Sequence, residues 1–391
     1  MGLYLGSQRV CPIVRSNGKD SGGQFLVTII DYDGTILFQD HLNNGTKIYR
    51  PQAPNHDNLT FQGWSCAEPV SYDGSNYYYT VNGADMTIGA FYTTKSGKTE
   101  IDIKVTPTTG LTFSCKFIGT KDWGDGTSDS SSTHTYSTYG NYTVSVSATS
   151  YGSISSSSGI FGQGSSSPDY FAQEVRLGSG ITSLNNSYVF QYCYGLRAFS
   201  IHTMTSTVFG TSYLRYCRNL KALVIPNGII SLGQYAVYNN SAMEWIAIPS
   251  TVTTFNSYAV SNNTALKSLT VPNTTSSAAG GAFQSNPQAR TFRIPSSLTT
   301  LTTNILASRT NLVYLKIPKT ITSSIPTKAF QSNTGTLYYD FSEFTSVPTL
   351  DNVDAFSGIA PFCEIRVPTS LLATWKAASN WVTYANYIVG V

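Results

Sequence analysis

Residues 220–228 read LKALVIPNG, and four later segments repeat this pattern of a short apolar strand that ends in proline. The segments are MEWIAIPST at 243–251, LKSLTVPNT at 266–274, ARTFRIPSS at 289–297 and LVYLKIPKT at 312–320. Their prolines follow one another at steps of 23 residues: Pro226, Pro249, Pro272, Pro295 and Pro318. A fixed period of this length predicts a solenoid, because one repeat cannot bury its apolar face alone and stacked repeats can.

Each repeat is expected to contain a short strand that points two apolar residues inward, for example Leu223 and Ile225. A second segment keeps the same period, and its last position holds a small or polar residue that we expect to bond the backbone of the turn. That position is occupied in turn by Cys193, Cys217, Asn240, Asn263, Asn286, Arg309 and Asn333. Weaker copies end at Leu177 and Ile201, and two more surround Phe341 and Pro368, which gives about nine repeats.

The strand pattern L-x-x-L-x-I-P, the segment A-[FV]-x-x-[CN] and the 23-residue step resemble BspA-type leucine-rich repeats. The resemblance covers residues 174–370 and implies a leucine-rich solenoid. The tail at 371–391 resembles the helical cap that follows such arrays, with Trp375, Trp381 and Tyr387 placed to seal the last repeat.

The first half of the chain resembles two other β-modules. Residues 122–148 contain W-G-D-G-T, H-T-Y and G-x-Y-T-V, which resemble an immunoglobulin-like sandwich of the PKD type, assigned to 100–150. Residues 24–65, with D-Y-D-G-T and the closing L-T-F-x-G-W-S, resemble a Listeria–Bacteroides repeat, a β-grasp-like module assigned to 23–99. The Ser/Gly-rich stretch at 151–173 is interpreted as a flexible linker or a long surface loop. The predicted fold class is mainly β and multidomain.

The composition argues against several classes of partner and site. Charged residues make up 12% of the chain and its net charge is +3, which predicts no nucleic-acid partner. No apolar stretch approaches the roughly 20 residues of a membrane span, so we expect no membrane insertion. The six cysteines are far apart in sequence and lack zinc-ligand spacing, which indicates buried free thiols.

No catalytic constellation stands out. Asp31 and Asp33 in DYDGT, or Asp122 and Asp125 in DWGDG, offer carboxylates that can bind Ca²⁺, but shaping of hairpin turns is the simpler interpretation. The four histidines are dispersed, and no nucleophile-elbow motif is evident. We therefore predict that the protein is not an enzyme and has no catalytic residue, cofactor or metal site.

One surface is a candidate for ligand binding. The outward residues of successive repeat strands stack into a stripe that includes Trp245, Arg293, Tyr314 and Lys316. Aromatic rings and cations in this order can stack on, and donate hydrogen bonds to, a glycan or a protein loop. The alternative is an ordinary solvated sheet with scattered aromatic residues.

The opening residues, MGLYLGSQRVCPIV, lack the apolar core of a secretion signal. Their pattern M-G-L-Y-L-G-x-x-x-V resembles N-terminal arms of phage fibre and tail-associated proteins. This resemblance implies a virion structural protein of tail, fibre or neck type, made in the host cytoplasm and adhering to a host-surface glycan or protein. Residues 1–22 would dock onto other virion proteins, and we expect a homo-oligomer. The alternatives are a capsid decoration or head-fibre protein and an adhesin on a bacterial cell surface.

Overall fold

The computed structural model describes the backbone of residues 2–5 and 8–14 and all of residues 24–391. Nine strands form two sheets in the N-terminal region, with the orders β4-β3-β9-β6 and β1-β2-β5-β8-β7. The strands are β1 Gly2–Leu5, β2 Gln8–Val14, β3 Gln24–Ile30, β4 Ile36–Asn43, β5 Lys47–Tyr49, β6 Leu59–Ser65, β7 Ser71–Tyr72, β8 Tyr77–Thr80 and β9 Met86–Thr94. Of the predicted docking arm, residues 1, 6–7 and 15–22 lie outside the described residues, whereas β2 pairs with β5.

The N-terminal unit, residues 24–94, is built around β9, which pairs in parallel with β3 and antiparallel with β6. Both faces of β9 are buried, although most strands of an antiparallel sheet keep one face in water. Ile88, Ala90 and Tyr92 enter the core of the unit, and Phe91 belongs to a second apolar cluster on the opposite face. A strand buried on both faces predicts that another part of the protein covers this sheet.

A middle region follows directly. Its strands are β10 Thr99–Val105, β11 Thr112–Ser114, β12 Lys121–Asp122, β13 Ser128–Asp129, β14 Thr133–Thr135 and β15 Gly140–Val146. The ring of Trp123 is fully buried, and its Nε1 donates to Asp129 Oδ1 at 3.1 Å. The apolar core of this region is continuous with that of the repeats, so the two do not have separate cores. The PKD-type assignment of 100–150 and the β-grasp assignment of 23–99 stay predictions.

The predicted solenoid is confirmed and has about nine turns. Short parallel strands pair with their counterparts in the next repeat, as Leu223 does with Ile246, 23 residues later. The strands are β16 Ala172–Arg176, β17 Ala198–Ser200, β18 Val208–Phe209, β19 Ala222–Val224, β20 Ser231–Leu232, β21 Val237–Tyr238, β22 Trp245–Ala247, β23 Thr254–Phe255, β24 Val260–Ser261, β25 Ser277–Ala278, β26 Tyr314–Lys316, β27 Tyr338–Asp340, β28 Glu364–Val367 and β29 Ile388–Gly390. The inward residues Leu223 and Ile225 are fully buried, as predicted.

The Ser/Gly-rich stretch packs against its neighbours. Ile160 is fully buried, its N–H donates to the carbonyl of Val189, and its carbonyl accepts from Lys116 N–H, both at 2.8 Å. Gln163 is also buried, and its Nε2 lies 3.1 Å from Cys193 Sγ. This loop therefore fills the space between the middle region and the first repeats.

The C-terminal cap has less helix than the sequence suggests. It contains one α-helix, α1 Leu372–Ala377, beside short 3₁₀ helices at Thr369–Leu371 and Trp381–Tyr384, and it ends in β29, which adds to the sheet of β26, β27 and β28. A further 3₁₀ helix lies at Val353–Phe356. Trp375 and Trp381 are fully buried against Phe341, as a seal of the last repeat requires.

Candidate functional site

The outward strand face of the early repeats is covered by the N-terminal unit. Ala222, Val224 and Trp245 are almost fully buried and form one apolar cluster with Ile30 and Phe91. The prediction that Trp245 belongs to an open ligand-binding stripe is thereby corrected, because only 2% of the residue is exposed. Its ring is instead part of the contact between the sheet of β4, β3, β9 and β6 and the solenoid.

Polar contacts fix the edge of this covered surface. Arg293 Nη2 lies 2.6 Å from Glu68 Oε1, and both side chains are mostly buried. A second guanidinium nitrogen of Arg293 donates to the carbonyl of Asn82. The N–H of Asp85 donates to Thr291 Oγ1 at 2.9 Å. Arg293 therefore holds two parts of the chain together, and its cation is already paired.

Beyond this edge the stripe is open. We call the outward residues of β26, β27 and β28 the open strand face, and they are Tyr314, Lys316, Tyr338, Asp340, Glu364 and Arg366. Tyr314 is 42% exposed, and its hydroxyl donates to Asp340. Lys316 Nζ lies 2.6 Å from Glu343 Oε1, and the Arg366 guanidinium lies 3.8 Å from the centre of the Tyr338 ring. The result is a fixed, half-exposed surface of rings and paired charges.

A cleft of about 1030 Å³ opens where the N-terminal unit ends and the open strand face begins. One wall comes from Phe25, Asn44 and Asn82, and the other from the solenoid. Arg293, Tyr314 and Lys316 all line it. The structure thus brings together three of the four predicted site residues and leaves out Trp245.

Two carboxyl groups near the cleft have shifted pKa values. Burial raises the pKa of Asp85, although the Leu26 N–H bond and the Thr291 hydroxyl act against that shift. Burial also acts to raise the pKa of Asp340, but hydrogen bonds from Ser342 and the Tyr314 hydroxyl outweigh it and lower the pKa. Asp340 therefore stays ionised and fixes the orientation of the Tyr314 ring.

The carboxylates considered for Ca²⁺ are engaged in local contacts. Asp31 Oδ2 lies 2.8 Å from His56 Nε2, and Asp125 Oδ2 lies 2.7 Å from His134 Nε2. Asp125 Oδ1 also accepts from the N–H and the hydroxyl of Thr127, which closes the turn. Within the described part of the chain, no three His, Cys, Asp or Glu side chains come together in a group that could hold a metal ion.

Only one of the two walls of the cleft could be predicted from the sequence. The solenoid wall follows from the 23-residue period, whereas the wall from Phe25, Asn44 and Asn82 depends on a docking of two units that no repeat encodes. The sequence contained one signal, because MTIGAFYTT in β9 has no charged residue and places Phe91 on the face opposite Ile88 and Ala90. Across the described residues no helix has the length and apolar character to cross a membrane.

Comparisons with known proteins agree with the repeat assignment. The model of the BspA type leucine-rich repeat region matches six copies within residues 165–337. No curated protein matches the chain. Among solved structures, a leucine-rich cell surface protein from Faecalibacterium prausnitzii A2-165 is 17% identical, with a TM-score of 0.32 over 50% of this chain and 66% of that one. A leucine-rich repeat protein from Bacteroides ovatus ATCC 8483 is 14% identical, with a TM-score of 0.26 over 50% and 65%. This chain thus covers slightly less than two thirds of either protein.

Proposed function

We propose that this protein is a non-enzymatic adhesion module of a bacterial cell surface, and that the cleft beside the open strand face binds a saccharide. The observation that carries the proposal is the convergence of Arg293, Tyr314 and Lys316 on one cleft between the N-terminal unit and the solenoid. Binding sites lie preferentially at such junctions. The surface location is supported by the resemblance of the three β-modules to modules common on bacterial surfaces.

The chemistry of the cleft suits a sugar better than a purely apolar ligand. The exposed Tyr314 ring offers a face for sugar C–H groups. Asn44, Asn82 and Asn273 also line the cleft, and each amide keeps a donor or acceptor beyond its bond to Gly83, Glu68 or Ser296. The volume is near the upper end of the roughly 300–1,000 Å³ range of small-molecule sites. A short oligosaccharide is therefore the proposed ligand.

An array of immobilised host and bacterial glycans, probed with the labelled full chain, tests this proposal. We expect selective binding to a small set of saccharides. Replacement of Tyr314→Ala should weaken that binding about tenfold or more, because ring contacts at the centre of a site carry much of its affinity. Lys376→Ala is the matched control, since Lys376 is exposed on α1, away from the cleft. An array without selective binding, or equal binding by Tyr314→Ala and the native chain, would overturn the proposal.

The virion assignment, whether as a tail, fibre or neck protein or as a head fibre, stays a prediction. It rests on the resemblance of the first ten residues to phage arms, and with it stand the docking of residues 1–22 on virion proteins and the expected homo-oligomer. Mass spectrometry of purified phage particles beside a cell-envelope fraction separates the two locations. Recovery only in the envelope supports the adhesin, and stoichiometric recovery in particles supports the virion protein.

A further inference from the structure

The charge of the solenoid differs from that of the whole chain. Residues 177–339 contain a single acidic residue, Glu244, which forms an ion pair with Lys267. The same stretch contains eleven basic residues: Arg197, Arg215, Arg218, Lys221, Lys267, Arg290, Arg293, Arg309, Lys316, Lys319 and Lys328. The modest net charge of +3 therefore hides a strongly basic central part of the solenoid, residues 177–339. A surface of this kind raises the local concentration of anionic ligands.

Tyrosine and arginine side chains form an ordered row on the early repeats. Tyr192 stacks on Tyr216 with ring centres 5.0 Å apart, and Tyr235 stacks on Tyr258 at 5.1 Å. The guanidinium of Arg215 lies over both Tyr216 and Tyr235, at 4.8 Å and 5.0 Å, and so joins the two pairs. We call these five residues the tyrosine–arginine row. All five are half-buried, so their edges reach the surface, and none of them lines the cleft.

The tyrosines of the row occupy a backbone conformation that disfavours them. Seven successive repeats each have two positions, four residues apart, with a φ between 52° and 68°. The first series is Tyr188, Ser212, Tyr235, Tyr258, Gly281, Asn304 and Lys328, and the second is Tyr192, Tyr216, Asn239, Asn262, Ser285, Ser308 and Ser332. Glycine and asparagine suit this left-handed region, whereas a bulky ring is strained there. Strain of this kind concentrates at functional sites.

The arginines at the row have no acidic partner among the described residues. No carboxylate among the described residues forms an ion pair with Arg215 or with Arg218, whose guanidinium lies over the rings of Tyr194 and Tyr216. The Nε of Arg215 is buried without a hydrogen-bond partner. A guanidinium group is well suited to bind carboxylates and other anions. Since no acidic side chain occupies these two arginines, both cations are available to an external anion.

We propose that the tyrosine–arginine row, with Arg218 beside it, binds an anionic polysaccharide that carries carboxylate or sulfate groups. The two guanidinium groups would bind the acidic groups, and the phenol edges would donate hydrogen bonds to sugar oxygens. The tyrosines extend the row along neighbouring turns of the solenoid, and Arg215 and Arg218 lie together in one turn. An extended chain that carries both acidic groups and sugar oxygens matches this surface. This inference goes beyond the proposed function, because it concerns a second surface and does not depend on the cleft.

The geometry disfavours two other anionic polymers. Nucleic acid binds aromatic residues through the faces of its bases, and here each ring of the row already has one face covered by a neighbouring ring, with Arg215 over Tyr216 and Tyr235. An acidic protein partner would bury an apolar centre within its interface. The row instead presents ring edges and cations. A hydrated polysaccharide, whose oxygens accept hydrogen bonds, fits this surface best.

The test measures binding of the full chain to defined polymers by biolayer interferometry. Hyaluronan provides carboxylates and dextran sulfate provides sulfates, so that the two sources of negative charge are distinguished. Unmodified dextran is the uncharged control, and poly-L-glutamate and an oligothymidylate represent the competing classes of polymer. We expect one or both anionic polysaccharides to bind, with an affinity that falls as salt is added. Equal binding of unmodified dextran, or binding of poly-L-glutamate or oligothymidylate at least as tight, would overturn the proposal.

The test variants use residues that other repeats already have at equivalent positions. Tyr216→Asn and Tyr235→Asn introduce the residue that other repeats place at the same backbone positions, as at Asn239 and Asn304. We expect the melting temperature to stay equal or rise while the affinity falls about tenfold or more, as at a binding hot spot. Lys328→Asn is the matched control, because it removes a cation at an equivalent position outside the row.

Arg218→Gln changes an exposed side chain and tests the row even if a tyrosine variant fails to fold. Loss of affinity in Arg218→Gln supports the proposal. Unchanged affinity in the folded row variants, or an equal loss in Lys328→Asn, contradicts it. Tyr314→Ala should keep polysaccharide binding, so failure of the cleft and failure of the row are separate results.

Discussion

At the scale of single residues, Arg309 is the exception at the repeat position that ends the second segment of each repeat and that holds asparagine in most of them. At this position Asn240, Asn263 and Asn333 each accept a hydrogen bond from the N–H of the residue one repeat earlier, at 2.7–3.0 Å. Arg309 is fully buried, and its Nε and Nη2 have no partner. Burial lowers the pKa of its guanidinium. Because an arginine has no acceptor atom, the Asn286 N–H also loses the bond that this series supplies.

Replacement of Arg309→Asn should stabilise the protein by about 1–3 kcal/mol, because it removes a buried unpaired cation and supplies the missing acceptor. Arg309→Met separates the two effects, since it removes the charge and keeps most of the volume. We expect the order of unfolding free energy to be Arg309→Asn above Arg309→Met, and both above the native chain, in urea titrations. Destabilisation by both variants would show that the native protein neutralises or hydrates this guanidinium.

At the scale of the elements, the residues at this repeat position form a hydrogen-bonded series along the solenoid, which we call the polar ladder, with each residue as one rung. The predicted bonding of the asparagines to the turn backbone is confirmed, since Asn263 Nδ2 also donates to the carbonyl of Val237 at 3.0 Å. Asp169 lies one step of 24 residues before Cys193 and forms a parallel bridge with it. Its carboxylate accepts from the N–H groups of Phe171 and Ala172. Asp169 is thus the first rung, and burial raises its pKa to about 7.

The raised pKa of Asp169 predicts a dependence of stability on pH. Between about pH 4 and pH 7 the folded protein holds a proton that the unfolded chain releases, so this group lowers stability as the pH rises. The limiting slope is about 1.4 kcal/mol per pH unit. Asp169→Asn, which matches the other rungs, removes this contribution. Its advantage over the native chain should grow from pH 5 to pH 8 in urea titrations, and parallel stability curves would contradict the assignment.

Two cysteines take the place of asparagine in the ladder. Cys193 and Cys217 hold rungs that asparagine fills elsewhere, and both are fully buried. Cys217 Sγ lies 3.1 Å from the carbonyl of Phe190, so the thiol replaces the amide donor. Five of the six cysteines are buried and free, as predicted, while the side chain of Cys11 lies outside the described residues.

At the scale of the whole molecule, the docking of the N-terminal unit on the solenoid decides which surfaces are available. At Gly89 of β9 the two approach closely, because a Cβ there would lie 2.5 Å from a methyl group of Val224 and 2.9 Å from Ala247 Cβ. Hydrogen bonds from Ser200 Oγ to the Tyr92 carbonyl and from Asn227 Nδ2 to the Trp64 carbonyl accompany it. The unit therefore covers the outward side of β19 and β22, whereas the outward residues of β26, β27 and β28 stay accessible.

Gly89→Ala should loosen this docking at a cost of about 1–3 kcal/mol, the usual range for overpacking of a tight contact. Hydrogen exchange followed by mass spectrometry should show faster exchange in β9 and β22 together, with the later repeats unchanged. Gly140→Ala is the matched control, since a Cβ there has only ordinary contacts, at 3.5 Å. Unchanged exchange in Gly89→Ala would contradict a docking based on this contact.

The pattern of local residues by itself determined the solenoid. A strand that ends in proline every 23 residues, together with a small or polar rung, dictates both the inward face and the ladder. These features depend on contacts between one repeat and the next, which a periodic sequence repeats at a fixed distance. The inward burial of Leu223 and Ile225 and the asparagine bonds follow directly from that period.

Only the tertiary structure decided which outward residues stay accessible. Trp245 and Tyr314 occupy the same place in their repeats, yet the first is buried under β9 and the second is 42% exposed. The difference arises because the N-terminal unit spans only part of the solenoid, and its position depends on contacts across more than a hundred residues of chain. The tyrosine–arginine row depends likewise on side-chain stacking between repeats, which spacing permits but does not specify.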